Sequence, residues 1–258
     1  MGFQHAGRPP AESDLPRIAA ALDARLHAAS PLEILSVAAE TERGRIAAVS
    51  SFGVESAVML HMMALVDAAI PVIFLDTGHL FAETLAYRDT LVDRLGLRDV
   101  RTITPDAADL SIGDPEAALW AQDPDACCRL RKVAPLAGAL TPFAAWINGR
   151  KRYQAATRTR IPVVEADGHR LKFNPLAALG PAEIAGWMKA HRLPAHPLQR
   201  FGFPSVGCMP CTSRVTTGED PRAGRWRGRA KTECGIHVRA VDGAPPSDPQ
   251  PPETSAPS

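Results

Sequence analysis

Near the start of the chain, apolar positions recur at helical spacing. Ile18, Leu22 and Leu26, then Leu32, Leu35 and Ala39, predict two helices within residues 15–43, broken near Ser30-Pro31. The pattern then changes. The apolar run 46–51 (IAAVSS) reads as a strand, Phe52-Gly53 as a turn, and 55–66 (ESAVMLHMMALV) as a helix. Residues 70–77 (IPVIFLDT) form a second strand, and a helix from Phe81 to Leu95 stops at Gly96. Residues 99–104 and 143–149 supply two more strands, the latter preceded by a helix that begins near a pair of adjacent cysteines. Strands alternating with helices predict an α/β fold with a doubly wound, mainly parallel sheet. Ligands of such sheets sit at the carboxyl ends of the strands, here Ser50-Ser51-Phe52-Gly53, Asp76-Thr77-Gly78 and Gly149-Arg150.

Residues 150–159 are basic and read as a loop, 163–173 as a hairpin turned at Asp167-Gly168, and Pro181–His191 as a helix. Beyond Gly202 regular patterns fade, and the cysteine-bearing segment there is expected to draw its order from a bound metal or substrate. The division that follows is a flexible start over 1–14, a single domain over 15–239 with a distinct segment at about 218–239, and a disordered Pro-rich tail over 240–258.

The chain has 258 residues, 45% of them hydrophobic, enough for one sizeable core, and a net charge of +1. The whole molecule therefore has no strong pull on nucleic acid or membrane. Its halves differ, however. Residues 1–126 carry 9 Lys+Arg against 19 Asp+Glu, whereas 127–258 carry 20 against 9. An anionic ligand held by the second half would explain the split, and so would charges that face each other or water. No signal-type apolar run opens the sequence, and the longest apolar stretches are too short to span a bilayer. A cytoplasmic location is expected. In that reducing compartment, five cysteines point to metal binding or chemistry and not to disulfides.

Those cysteines fall as Cys127-Cys128, Cys208-Met209-Pro210-Cys211 and Cys234. Four thiolates complete either a zinc or a 4Fe–4S site. Adjacent ligands are cramped around one tetrahedral ion and fit a larger cluster better. Asp123 and Asp125 are candidate caps for a helix opened by the pair, whose amides would favour thiolate. Cys234 is left over. With Lys231 and His237 beside it in KTECGIH, it reads as a nucleophile activated by positive charge, against the plainer reading of an unreactive thiol. Ser50–Ser56 (SSFGVES), between strand and helix, suits an anion cradle. Arg131, Lys132, Arg158, Arg222 and Arg225 are candidate partners for phosphate and sulfate.

Together SSFGVES, FLDTGHLFAETLAYRD (74–89), CCRLRK (127–132), GRKRYQAATR (149–158), KFNPL (172–176), GCMPC (207–211), GRW (224–226) and ECGIH (233–237) resemble the assimilatory sulfonucleotide reductases, in particular the iron–sulfur type acting on adenosine 5′-phosphosulfate. The resemblance runs from about Ser30 to His237. It implies a fold of the adenine nucleotide α-hydrolase type and a [4Fe-4S] cluster on Cys127, Cys128, Cys208 and Cys211. It implies substrate binding by Ser51, Gly53, Leu75, Thr77, Lys132, Gly149, Arg158, Arg222, Arg225 and His237, with Lys132 between cluster and substrate. Cys234 would be catalytic, forming an S-sulfocysteine that thioredoxin or a similar dithiol protein resolves. A homo-oligomer is allowed. The cluster cysteines favour the substrate without a 3′-phosphate over 3′-phosphoadenosine 5′-phosphosulfate. Two other classes compete. An ATP-pyrophosphatase that thiolates tRNA would need an SGGxDS loop where this chain has SSFGVES, and a zinc module would need neither a nucleotide pocket nor Cys234.

Overall fold

The computed structural model describes residues 12–237, so the expected Pro-rich tail and most of the expected flexible start lie outside the described residues. The first helix, α1 (Leu15–Leu26), is preceded by a short turn, and α2 (Pro31–Thr41) begins where Ser30-Pro31 predicts a break. Ser30 and Glu33 form a reciprocal capping box there, each side chain satisfying the other's backbone N–H.

Strands β1 (Ile46–Val49), β2 (Val72–Leu75), β3 (Val100–Ile103), β4 (Ala145–Ile147), β5 (Val164–Asp167) and β6 (Arg170–Phe173) form one sheet in the order β3-β2-β1-β4-β6-β5. All neighbours are parallel except the β5–β6 hairpin at the edge. Each strand is shorter than the apolar run that predicts it, and after β1 and β4 the trimmed residues Ser50, Ser51, Asn148 and Gly149 line the site. The hairpin turns at Gly168-His169, one residue later than predicted, since Asp167 still pairs with Arg170 and Gly168 takes the positive φ the turn needs.

β1 is buried throughout, and its residues alternate between two cores. Ile46 and Ala48 join the larger core with α1, α2, α3 (Ser56–Asp67), α4 (Ala82–Leu95) and α9 (Pro181–Ala190). Ala47 and Val49 join a smaller core on the other face with Leu136, Leu140, Phe143 and Trp146. The sheet is thus covered on both faces, as a doubly wound fold requires.

The link from β3 to β4 runs through α5 (Ala107–Gly113), α6 (Leu119–Gln122), α7 (Pro124–Cys128), a π-helical turn (Arg129–Val133) and α8 (Ala134–Ala139). Asp123 caps α7 by accepting from Asp125 and Ala126 N–H, so Asp125 is not a cap, and the cysteine pair closes α7 instead of opening it. The segment after Gly202 is irregular, as predicted. It has protein anchors of its own, however, including Met209 N–H to the His79 carbonyl at 2.7 Å and Trp226 N–H to the Cys211 carbonyl at 3.0 Å. No helix among the described residues is long and apolar enough to cross a membrane.

His196 holds the approach to that segment against α4. Only 1% exposed, it accepts from Leu198 N–H through Nδ1, and its Nε2 lies 3.2 Å from Thr84 Oγ1. Burial lowers its pKa to about 4, against a weak opposing pull from Glu83. A base with a depressed folded-state pKa contributes stability that is present above its unfolded pKa of about 6.5 and lost as pH falls toward 4. Between pH 7 and 4, the unfolding free energy should therefore drop by about 3 kcal/mol more in the wild type than in His196→Gln, measured by urea denaturation.

Candidate active site

A cavity of about 550 Å³ opens at the carboxyl ends of β1 and β4, where the strand order reverses. Its floor is the turn from Ser50 to Ser56. Phe52 is fully buried there with a positive φ of 48°, its ring edge-on to Phe74 at 5.3 Å. Such a φ is strained for a side chain of this size and persists because the packing holds it. No side chain caps the start of α3, and Ser51, Gly53 and Ser56 line the cavity directly in front of it.

Of the residues singled out in the sequence, Ser51, Gly53, Leu75, Lys132, Gly149, Arg158, Arg222, Arg225, His237 and Cys234 all line this cavity. Thr77 does not. It is fully buried with its hydroxyl 3.3 Å from Cys208 Sγ, and the turn after β2 thereby faces the cysteines. Arg131 is also withdrawn from the cavity. Its Nε and Nη2 donate to Asp114 at 3.1 and 2.6 Å, and Nη1 donates to the Thr77 carbonyl at 2.8 Å. Burial alone would raise the Asp114 pKa, but the guanidinium and the Leu119 N–H outweigh it and hold the carboxyl below its usual range. Arg131 and Lys132 are successive residues of the π-helical turn and point in different directions, Arg131 to Asp114 and Lys132 to the cavity.

Ion pairs and hydrogen bonds support the cavity wall. Glu55 accepts from Lys151 Nζ at 2.8 Å, Tyr153 Oη at 2.6 Å and Gln154 Nε2 at 2.8 Å. Arg150 is buried against Glu165 and Asn174, and Lys172 lies 3.5 Å from Glu165. Burial lowers the Lys172 and Arg150 pKa values. The basic loop and the hairpin thus form a paired ionic layer beneath the cavity.

Cys127, Cys128, Cys208 and Cys211 line a second, small cavity of about 10 Å³ next to the first, with Lys132, Cys208 and Trp226 in the walls of both. Burial and the neighbouring sulfurs push the Cys127 thiol up to about 12, and burial pushes Cys128 up to about 11. Cys208 goes the other way, because Lys132 and the Thr77 hydroxyl outweigh its burial. Lys132 in turn is kept charged against burial by Cys208, Cys234 and Cys128. Among the described residues, no three His, Cys, Asp or Glu side chains are set to hold a single metal ion.

The neighbours expected to activate Cys234 are engaged elsewhere. Lys231 is paired with Asp125, and His237 is stacked on Trp146 at 5.6 Å with its pKa held well below the usual range by burial and by Lys172. Lys132, Arg222 and Arg225 share the cavity wall with Cys234.

A family model described as the phosphoadenosine phosphosulfate reductase domain matches residues 45–214. The chain belongs to that family. The matched span contains the four clustered cysteines, and Cys234 lies beyond it. The chain is 52% identical to a Mesorhizobium japonicum protein named adenosine 5′-phosphosulfate reductase, over 87% of this chain and 89% of that one. A Gloeobacter violaceus relative named phosphoadenosine 5′-phosphosulfate reductase is 41% identical over 81% and 89%. The crystal structure of a Candida auris phosphoadenylyl-sulfate reductase superposes with a TM-score of 0.66 at 24% identity, covering 76% of this chain and 96% of that one, and so supports the same fold.

The Arg131–Asp114 pair fixes the helix that carries the first two cysteines, and both side chains are nearly inaccessible at 6% and 2% exposure. Asp114→Ala should cost about 3–5 kcal/mol by leaving the guanidinium buried and unpaired, measured by chemical denaturation.

Proposed function

We propose that this protein reduces adenosine 5′-phosphosulfate to sulfite and AMP with electrons from a dithiol protein such as thioredoxin, in cytoplasmic sulfate assimilation toward cysteine. The observation that carries this reading is Cys234 in the wall of a cavity that also presents Lys132, Arg222 and Arg225. Relatives bearing that enzyme's name support the choice of substrate.

The nucleotide would lie over Ser51, Gly53, Leu75 and Gly149, with its phosphosulfate toward the cations. These offset the repulsion between a thiolate and a sulfate. The Cys234 thiolate attacks the sulfate sulfur. The bond from that sulfur to the bridging oxygen breaks, AMP leaves with the electron pair, and Cys234 is left as S-sulfocysteine. A thiolate of the dithiol partner then attacks the Cys234 sulfur. Sulfite departs with the electrons of the sulfur–sulfur bond, and a mixed disulfide remains. The partner's second thiol displaces Cys234, so that the partner is oxidised by two electrons and the enzyme thiol is restored.

Cys127, Cys128, Cys208 and Cys211 fit a [4Fe-4S] cluster. Besides four thiols around one small cavity, the site contains two buried donors with no partner, Trp226 Nε1 and His79 Nε2 in its N–H tautomer. Cluster sulfides would accept from both. When bound, the cluster would add structural constraint and a fixed charge beside Lys132.

Cys234→Ser should abolish sulfite release and the radiolabelled adduct formed from ³⁵S-sulfonucleotide, and an adduct on that variant would sink the assignment. Parallel assays with the 3′-phosphorylated sulfonucleotide should give the lower kcat/KM. Protein purified without air should be brown with about four iron per chain, whereas a colourless preparation holding one zinc would reverse the cofactor assignment.

A further inference from the structure

Glu233 immediately precedes Cys234, and its contacts differ in kind from those of the cavity's other carboxylates. Arg158 Nε and Nη2 both donate to it at 2.6 Å, forming a bidentate pair. Arg222 Nη2 lies 3.7 Å from its second oxygen and donates to the Thr232 carbonyl at 3.0 Å. The Arg158 and Glu233 side chains are only 10% and 18% exposed. Arg158 Nη1 donates to Gln154 Oε1 at 2.7 Å, so the guanidinium is largely spent on protein partners. For Arg158 to turn to a substrate oxyanion, the Glu233 carboxylate would have to be left half-buried without its bidentate partner, which is costly.

We propose that Glu233 is a positioning residue whose pair with Arg158, flanked by Arg222, seats Cys234 over the substrate cavity, so that Arg158 serves the reaction through Glu233 and not by binding the substrate. The inference rests on Cys234 being the nucleophile. Three further contacts hold the same segment. Lys231 pairs with Asp125, Ile236 packs on the smaller core, and His237 stacks on Trp146. These fix the segment's ends. The Arg158–Glu233 pair fixes the residue bonded to the nucleophile, and adjacent Cα atoms are about 3.8 Å apart, so holding one largely holds the other. A bidentate pair sets direction as well as distance.

The experiment compares wild type, Glu233→Gln, Glu233→Asp, Arg158→Gln and the double variant Glu233→Gln/Arg158→Gln in the full chain. Three quantities are read: Cys234 alkylation by iodoacetamide without substrate, single-turnover adduct formation, and affinity for intact adenosine 5′-phosphosulfate on a Cys234→Ser background. Each Gln variant should speed alkylation and slow adduct formation by about 10- to 100-fold, while affinity stays within about twofold. The double variant should match the singles, because both remove one interaction, and Glu233→Asp should recover part of the rate. Additive losses would overturn the proposal. So would a tenfold loss of affinity in Arg158→Gln with alkylation unchanged in Glu233→Gln. If wild type forms no adduct, the proposed reaction fails, and the alkylation rates still decide whether the pair holds the segment.

Discussion

Six cations, Lys132, Arg150, Lys151, Arg158, Arg222 and Arg225, share the wall of one cavity, and the site is organised around making that tolerable. Unpaired, such charges would repel one another and lose their hydration. Most have partners, and Arg222 lies near the Glu233 that Arg158 engages while donating to the Thr232 carbonyl. Glu55 takes Lys151, Glu165 takes Arg150 and Lys172, Glu233 takes Arg158, and the cysteine sulfurs surround Lys132. Arg225 lies over the Trp226 ring at 4.6 Å and donates to the Val206 carbonyl at 3.1 Å. Gly207 leaves it room, since a Cβ there would overlap the guanidinium. The counter-charges come from the turn after β1, the edge hairpin and the C-terminal segment, so the site exists only when all three are docked.

The two cavities are coupled by shared parts. Lys132 feels both the clustered sulfurs and Cys234, and the π-helical turn lets it do so while its neighbour Arg131 anchors the helix on Asp114. Such irregular turns inside helices are often found where function demands a particular side-chain direction. The C-terminal segment meets both regions, with Lys231 on Asp125 beside the cysteine pair and Glu233 on Arg158 across the substrate cavity. Cys234 therefore sits at the seam between them. The opposite charges of the two halves of the chain also find an explanation. Some meet directly, as in Glu55–Lys151, Asp114–Arg131 and Asp125–Lys231, and the positive excess of the second half lines the cavity.

Much of the fold was legible because buried strands and amphipathic helices leave periodic traces. The breaks at Ser30-Pro31 and Gly96 follow from local chemistry, a capping box and a left-handed C-cap. The cysteine groups, Cys234 and the basic loop were legible as motifs. Side-chain direction was not. Nothing local distinguishes Arg131, which faces inward to Asp114, from Lys132, which faces the cavity. Thr77 lies just past a strand end, as its position suggested, yet it turns to Cys208, whose segment bridges to Leu80 a few residues after β2. Lys231 and His237 flank Cys234 in sequence but are drawn to Asp125 and Trp146, more than a hundred and about ninety residues away, respectively.

The sequence by itself determined the strand and helix order, the mainly parallel sheet and the set of residues able to do sulfur chemistry, because these depend on residue type and short-range periodicity. Only the tertiary structure decided which charge answers which. It brought Glu233 to Arg158, set Lys132, Arg222 and Arg225 in one cavity wall with Cys234, and gathered four cysteines from two distant segments around a second cavity. The physical reason is that electrostatic pairing depends on distance and burial after folding, and neither is encoded in the neighbourhood of any single residue.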